Sequence, residues 1–338
     1  MTYLSVIIPT RNRADTLRAC LVSLQRQTLP LDSFEVIVVD NGSTDNTSDV
    51  VRDFTNSLQL VYSYKGEPGL HVGRHEGLRL AKSDLLVYID DDIKALPCWL
   101  EAIAASFADA SVAMVGGNNY PDFEVPPPAW LTQIWESSQI AEQSSCKGRA
   151  FFPLSILDFG EGCFEIDPGY VWGCNFSIRR DVLIQAGGFH PDAMPKDKLR
   201  YRGDGETHVS NFVRAAGLKA LFDSQASIYH LVSIDRMTLD YFCHRFYLDG
   251  ILNSYSFIRA TGEVPGPGHA LRNIITLAMI RLKYAAKRVA YLNDPVKSQL
   301  AIVWNAAQKA YWKGYRFHMR EVSNDSEMLR WVLKESYL

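Results

Sequence analysis

The stretch Leu85-Leu-Val-Tyr-Ile-Asp-Asp-Asp92 decides how the rest of the chain is read. Five apolar residues without polar alternation fit a strand buried on both faces, and three carboxylates follow at its carboxyl end. Working outward, Ser5-Val-Ile-Ile8, Glu35-Val-Ile-Val-Val39, Leu58-Gln-Leu-Val-Tyr62 and Val112-Ala-Met-Val115 are similar short runs. Amphipathic stretches separate them, such as 13–27, where Leu17, Leu21 and Leu24 share a helical face. The alternation predicts an α/β fold, a Rossmann-like, mostly parallel sheet flanked by helices. Ligands of such sheets sit at the carboxyl ends of the strands, so the residues just after each run are the ones to weigh.

After the fourth run, strand alternation puts Asp90 and Asp92 on one side. Like charges so close repel unless a cation intervenes, and Asp-x-Asp at a sheet edge suits Mg²⁺ or Mn²⁺ bridging a diphosphate. The competing reading is a solvated acidic turn. The first run ends in Ile8-Pro-Thr-Arg-Asn-Arg13 and the second in Val38-Val-Asp-Asn-Gly-Ser-Thr-Asp45. The latter offers Asp40 as an acceptor at the ligand rim, or an ordinary Asn-Gly turn with a helix cap.

Composition removes other classes. The chain has 338 residues, 47% hydrophobic and 22% charged, with a formal charge of −3, an ordinary globular balance that gives no case for disorder or a coiled coil. Its longest stretch without Asp, Glu, Lys or Arg, residues 110–121, is too short to span a bilayer. The first residues lead directly into a strand with no signal-peptide pattern, so a cytoplasmic protein is expected, at most at the inner face of the membrane. Cys20, Cys98, Cys146, Cys163, Cys174 and Cys243 form no Cys-x-x-Cys pair and read as reduced thiols.

Ser5–Arg13, Val36–Asp45, Gly69-Leu-His-Val-Gly-Arg74, Leu85–Asp92 and Gly173-Cys-Asn-Phe-Ser-Ile-Arg-Arg180 together resemble family 2 of the nucleotide-sugar glycosyltransferases, of GT-A fold, over about residues 3–250. The resemblance implies metal-dependent inverting transfer of a sugar from a nucleoside-diphosphate sugar to an acceptor hydroxyl, in polysaccharide, glycan or glycolipid synthesis. UDP stands ahead of GDP. It implies a nucleotide site of Pro9, Thr10, Arg11, Arg13, Asp40, Arg74, Asp90 and Asp91, with Thr10 and Asp40 on the base and Asp90 on the ribose. Asp92 and His230 would hold Mn²⁺ or Mg²⁺. Tyr201-Arg-Gly-Asp-Gly-Glu-Thr-His208 resembles the family's acidic motif, which implies Glu206 or Asp204 as the base, the competing reading being a structural role for both. Glu206 facing the cleft, with Asp204 capping a helix, is the first choice. The family more often has Asp at the base position, and the extra methylene of Glu206 moves the carboxylate by about 1.5 Å. Trp172, Gly173, Asn175, Arg236 and Arg245 are acceptor-side or diphosphate candidates.

The same resemblance divides the chain into a nucleotide-sugar-binding half (1–117), an acceptor-binding and catalytic half (118–262) and a C-terminal helical region (263–338). Pro126-Pro-Pro128, Trp130 and Trp135 suggest loops over the cleft within 118–170. From Val264 to Arg320 ten Lys or Arg face one Asp, a local charge of +9. Leu271, Ile274, Ile275, Ala278, Leu282, Val289 and Leu292 recur at helical spacing, and Lys309, Lys313, Arg316 and Arg320 form a stripe of their own. Such helices fit an anionic bilayer and a lipid-linked acceptor, or they pack on the catalytic domain or a second copy. A nucleic-acid partner is not expected. A sugar nucleotidyltransferase would need a Gly-rich first loop, and 9–15 contains no Gly. An inactive sugar-nucleotide-binding scaffold would lack Asp92 or the acidic pair at 204–206, and both are present.

Overall fold

A computed structural model describes residues 3–138, 148–264 and 266–338, and Cys146 lies outside them. The first half runs β1 (Leu4–Thr10), α1 (Ala14–Gln25), β2 (Phe34–Asp40), α2 (Thr47–Asp53), β3 (Leu60–Tyr64), α3 (Leu70–Leu80), β4 (Leu85–Ile89), β5 (Ile93–Ala95), α4 (Trp99–Ser106) and β6 (Val112–Gly116). It continues through β7 (Asn119–Phe123), α5 (Ala129–Ser137), β8 (Arg149–Phe151), β9 (Ile156–Asp158), β10 (Cys163–Glu165), β11 (Asn175–Arg179), α6 (Arg180–Gln185), α7 (Thr207–Ala215), β12 (Lys219–Asp223) and β13 (Ile228–Val232). Four helices follow, α8 (Leu239–Thr261), α9 (Pro267–Ala290), α10 (Pro295–Asn324) and α11 (Ser326–Val332).

The apolar runs are continuous because each strand is covered twice. Leu4, Val6 and Ile8 of β1, with Val36, Val38, Val87 and Ile89, pack under α1 and α4 against Leu17, Leu21, Leu24, Trp99 and Ile103. The alternate residues Ile7, Ile37, Val39, Leu86 and Tyr88 pack against Leu78 of α3, Leu183 of α6 and Val209 and Val213 of α7. Strand periodicity assigns neighbours to opposite layers, so no position can be polar without cost. The principal sheet has the order β10-β12-β6-β11-β4-β1-β2-β3. β1 pairs in parallel with β2 on one side and β4 on the other, so the connections leaving β1 and β4 diverge and open a crevice. β11 is antiparallel to both β4 and β6. The third strand starts at Leu60 rather than the expected Leu58, which instead anchors the hydrophobic layer.

Residues 118–170 differ from the expected loops. β7, β8 and β9 join β5 and β13 in a second sheet of order β5-β13-β7-β9-β8. Trp130 is buried beside Phe242, Phe246 and Val303, and Trp135 packs on the same cluster, so the two indoles hold the helices together rather than cover the cleft. α8 and α10 approach until their backbones touch: a Cβ on Gly250 would overlap the Tyr311 carbonyl, and one on Gly314 the Tyr247 carbonyl. Lys309, Lys313, Arg316 and Arg320 are exposed along α10. No described helix is long and apolar enough to cross a membrane. The five described cysteines are free thiols.

Candidate active site

The site begins where β4 ends. Asp91 turns inward, accepting from Thr10 Oγ1 at 2.6 Å and from Arg13 Nη1 at 3.0 Å. Burial pushes its carboxyl up to about 7, although Arg13 opposes the shift. Asp90 and Asp92 line the larger cleft, Asp92 sharing Arg13 Nη1 with Asp91. Register explains how a distant histidine reaches them: His230 of β13 pairs with Ile93, and the Leu231 N–H donates to the Asp92 carbonyl. Asp90, Asp92 and His230 thereby offer ligand atoms that all lie within 4.8 Å of one another.

The chemistry of this group suits a hard divalent cation. His230 Nδ1 lies 3.0 Å from the Leu154 carbonyl, which can only accept, so the ring proton belongs there and Nε2 is left to ligate. Asp92 is buried, its Oδ2 2.8 Å from Arg13 Nη1, while its Oδ1 has no hydrogen-bond partner. Burial raises its pKa, but His230, Arg13 and Arg236 outweigh this and hold the carboxylate ionised. Arg236 Nη1 lies 3.4 Å from Asp92 Oδ2 and donates to the Leu231 carbonyl at 3.0 Å, its guanidinium over Tyr241.

Across the crevice stands buried Arg74 of α3, stacked 4.9 Å from the Phe189 ring centroid. It donates to Glu206 Oε2 at 3.1 Å and to the Gly173 carbonyl at 3.2 Å, and lies 3.9 Å from Asp90 Oδ1. The Gly173 N–H donates to Glu206 Oε1 at 3.1 Å. Any side chain at 173 would overlap the Arg74 guanidinium and press on Glu206, so glycine is needed for this approach. Glu206 lines a cleft of about 1030 Å³ together with Asp90, Asp92, His230, Arg236, Arg245 and Trp172. A smaller lobe of about 250 Å³ is lined by Pro9, Thr10, Arg11, Arg13, Asp90 and Asp91.

Asp204 lies elsewhere. Its Oδ1 accepts from His190 Nδ1 at 2.6 Å and its Oδ2 from Ser256 Oγ at 2.7 Å, both beneath the cleft wall. Gly205, at φ +56°, turns the chain between the two carboxylates. The expected cap is absent, since α7 starts after Glu206 without a side-chain cap.

Residues 5–186, more than half of the chain, match the sequence family described as glycosyl transferase family 2. The chain belongs to this family. A validoxylamine A glucosyltransferase of Streptomyces hygroscopicus subsp. jinggangensis is 42% identical over 205 residues, which cover 56% of this chain and 47% of that protein. The Escherichia coli chondroitin synthase is 37% identical over 122 residues, covering 35% of this chain and 18% of that protein. The chain spans about half the length of the glucosyltransferase it matches. Among solved structures, a mannosyltransferase from Pyrobaculum calidifontis, in complex with GDP-Man and Mn²⁺, superposes with a TM-score of 0.56 at 18% identity, covering 93% of this chain and 86% of that one. That likeness establishes the GT-A fold.

Within this family 2 chain, two of the expected site residues are bonded into the fold. Asp40 accepts from Tyr62 Oη at 2.8 Å and from the Gly42 and Ser43 N–H groups at 3.0 and 2.7 Å, so it fixes its own turn, and it is buried. Asn175 is buried too, accepting from Trp99 Nε1 at 3.0 Å and donating to the Ala226 carbonyl at 2.9 Å, which ties β11 to α4. Sequence reasoning missed Asp192, ion-paired with Arg202, and Asp249 of α8, pushed up to about 6 by burial against the opposing Arg245 and Arg202. All four line the cleft, from a loop without periodicity and from a helix face whose direction only packing decides.

Proposed function

We propose that the chain transfers a hexose from a nucleoside-diphosphate sugar, UDP ahead of GDP, to an acceptor hydroxyl with inversion, and that Mn²⁺ or Mg²⁺ is required. One observation carries the reading: Asp90, Asp92 and His230 gather in the cleft that Glu206 also lines, and buried Arg74 reaches both Asp90 and Glu206. The preference for UDP follows its frequency as a donor in family 2. The name of the Streptomyces relative makes UDP-glucose the first donor to test, with a glycan or lipid-linked hydroxyl as acceptor.

In this reading Pro9, Thr10, Arg11 and Arg13 take the base and ribose in the smaller lobe, and Asp91 fixes Thr10 and Arg13. Arg236 and Arg245 present guanidinium donors to the diphosphate. A cation held by Asp90, Asp92 and His230 would offset the charge gathering on the departing diphosphate. Glu206 is the base. Arg74 and the Gly173 N–H aim its carboxylate, which is placed to take the acceptor proton. The acceptor oxygen bonds to the anomeric carbon as the carbon–phosphate oxygen bond breaks, the electron pair leaves on the diphosphate, and the proton stays on Glu206. Trp172, its Nε1 held 3.0 Å from the Gly169 carbonyl, offers an indole edge at the acceptor side.

Melting the protein with a panel of UDP- and GDP-sugars, with and without Mn²⁺, tests this. A binding donor stabilises the folded state, so one donor should raise the midpoint and do so far more with Mn²⁺. No shift with any donor in either condition would remove the reading.

A further inference from the structure

We infer that α9 docks flat on an anionic lipid surface. The helix packs on α10, with Leu277 buried, yet it is apolar on its outer side as well. Ile275, Met279, Leu282 and Val289, spaced 4, 3 and 7 residues apart, are 51%, 65%, 71% and 68% exposed. At 100° per residue these four form one stripe opposite Leu277. Arg272, Lys283 and Lys287 flank one edge of the stripe, while Arg281 and Arg288 lie further round on the Leu277 side, and all five are exposed. The helix contains no Asp or Glu.

An apolar strip of this kind marks a contact surface, and the charges identify the occupant. A symmetric contact with a second copy would bring two such helices together, five cations against five with no carboxylate on either helix, which opposes association. An anionic bilayer satisfies both features. The apolar stripe enters the boundary between headgroups and acyl chains, while the Lys and Arg stems reach sideways to the phosphates. The helix lies in the interface without crossing it, in keeping with its being long enough for a span but too polar for one. This docking does not depend on which sugar the cleft transfers.

Flotation of the full chain with vesicles of phosphatidylcholine, alone or mixed with phosphatidylglycerol, tests the inference. Binding should be at least about tenfold stronger to the mixed vesicles and should weaken as salt is raised. Neutralising Lys283→Gln with Lys287→Gln should weaken it by about 30-fold, from two surface cations. Met279→Glu with Leu282→Glu should abolish it and leave the melting midpoint unchanged, since both side chains face away from the protein. The inference is overturned if neither vesicle binds, if both bind equally, or if the Glu double variant binds as well as the parent. It is also overturned if sedimentation instead shows self-association that the double variant abolishes.

Discussion

Two pairs of carboxylates, each two residues apart, meet opposite fates. At the end of β4, Asp90 and Asp92 emerge on the same side and converge on His230, while Asp91 between them turns back to Thr10 and Arg13. At the start of α7, Asp204 and Glu206 part company, one to His190 and Ser256 below the wall and the other to Arg74 and Gly173 in the cleft. Asp90 to Asp92 form the short turn between β4 and β5, which leaves the outer two together, whereas a single left-handed glycine at 205 parts Asp204 from Glu206. The same spacing therefore gathers charge in one place and separates a working carboxylate from a supporting one in the other.

The contrast breaks most visibly at Glu206. Glu206→Gln keeps the shape and the Gly173 contact but cannot take a proton, so turnover should fall about 10²- to 10⁴-fold while donor affinity holds. Comparable turnover in variant and parent, measured as nucleotide release, would return the role to Asp204 or elsewhere. Asp92→Asn comes next. It should weaken Mn²⁺-dependent donor binding by at least the roughly 10- to 100-fold typical of losing an outer-shell partner, read by calorimetry. Asp204→Asn should do the reverse of Glu206→Gln, costing about 1–3 kcal/mol of stability by unbalancing the buried bonds to His190 and Ser256. Chemical denaturation should show that loss, with turnover per folded molecule within a few-fold of the parent. Gly205→Ala would strain the left-handed turn by about 1–2 kcal/mol and press on Asp192, raising KM and lowering kcat together if the turn aims Glu206.

The smallest expected effect lies away from both pairs. Burial depresses His318, packed between α8 and α10 with Nδ1 2.8 Å from Ser254 Oγ, to about 4. Folded His318 stays neutral while the unfolded chain protonates near 6.5, so its contribution to stability is lost as pH falls from about 6.5 towards 4. Between pH 6.5 and 5.5 that loss is about 1 kcal/mol. In His318→Asn the fall in stability over this interval should be smaller by that amount, and an unchanged fall would mean that His318 is not buried neutral.

Much of this arrangement was legible in the residues. Runs such as Ser5–Ile8 and Leu85–Ile89 specify doubly covered strands, and the period of two already separates Asp91 from Asp90 and Asp92. What pattern alone could not supply was register. Only the pairing of His230 with Ile93 brings β13 to the aspartates. Nor could it supply the partners of polar groups: Asp40 and Asn175 carry the residue types of a binding site, and only the fold shows that their oxygens also accept from Tyr62 and Trp99. Trp130 and Trp135 were misread because a Pro-rich approach hides a helix whose partners, α8 and α10, lie more than a hundred residues further on. On α9 the helical period of the apolar residues was visible, but two apolar faces cannot be told apart until one is covered.

Electron paramagnetic resonance of Mn²⁺ tests the central claim most directly. Titrated into the protein with UDP present, the free-ion signal should stay suppressed until each wild-type chain has taken up one ion, and Asp92→Asn should require at least about tenfold more protein for the same suppression. Identical uptake by the two proteins would mean that the cation, if any binds, is held somewhere other than Asp90, Asp92 and His230.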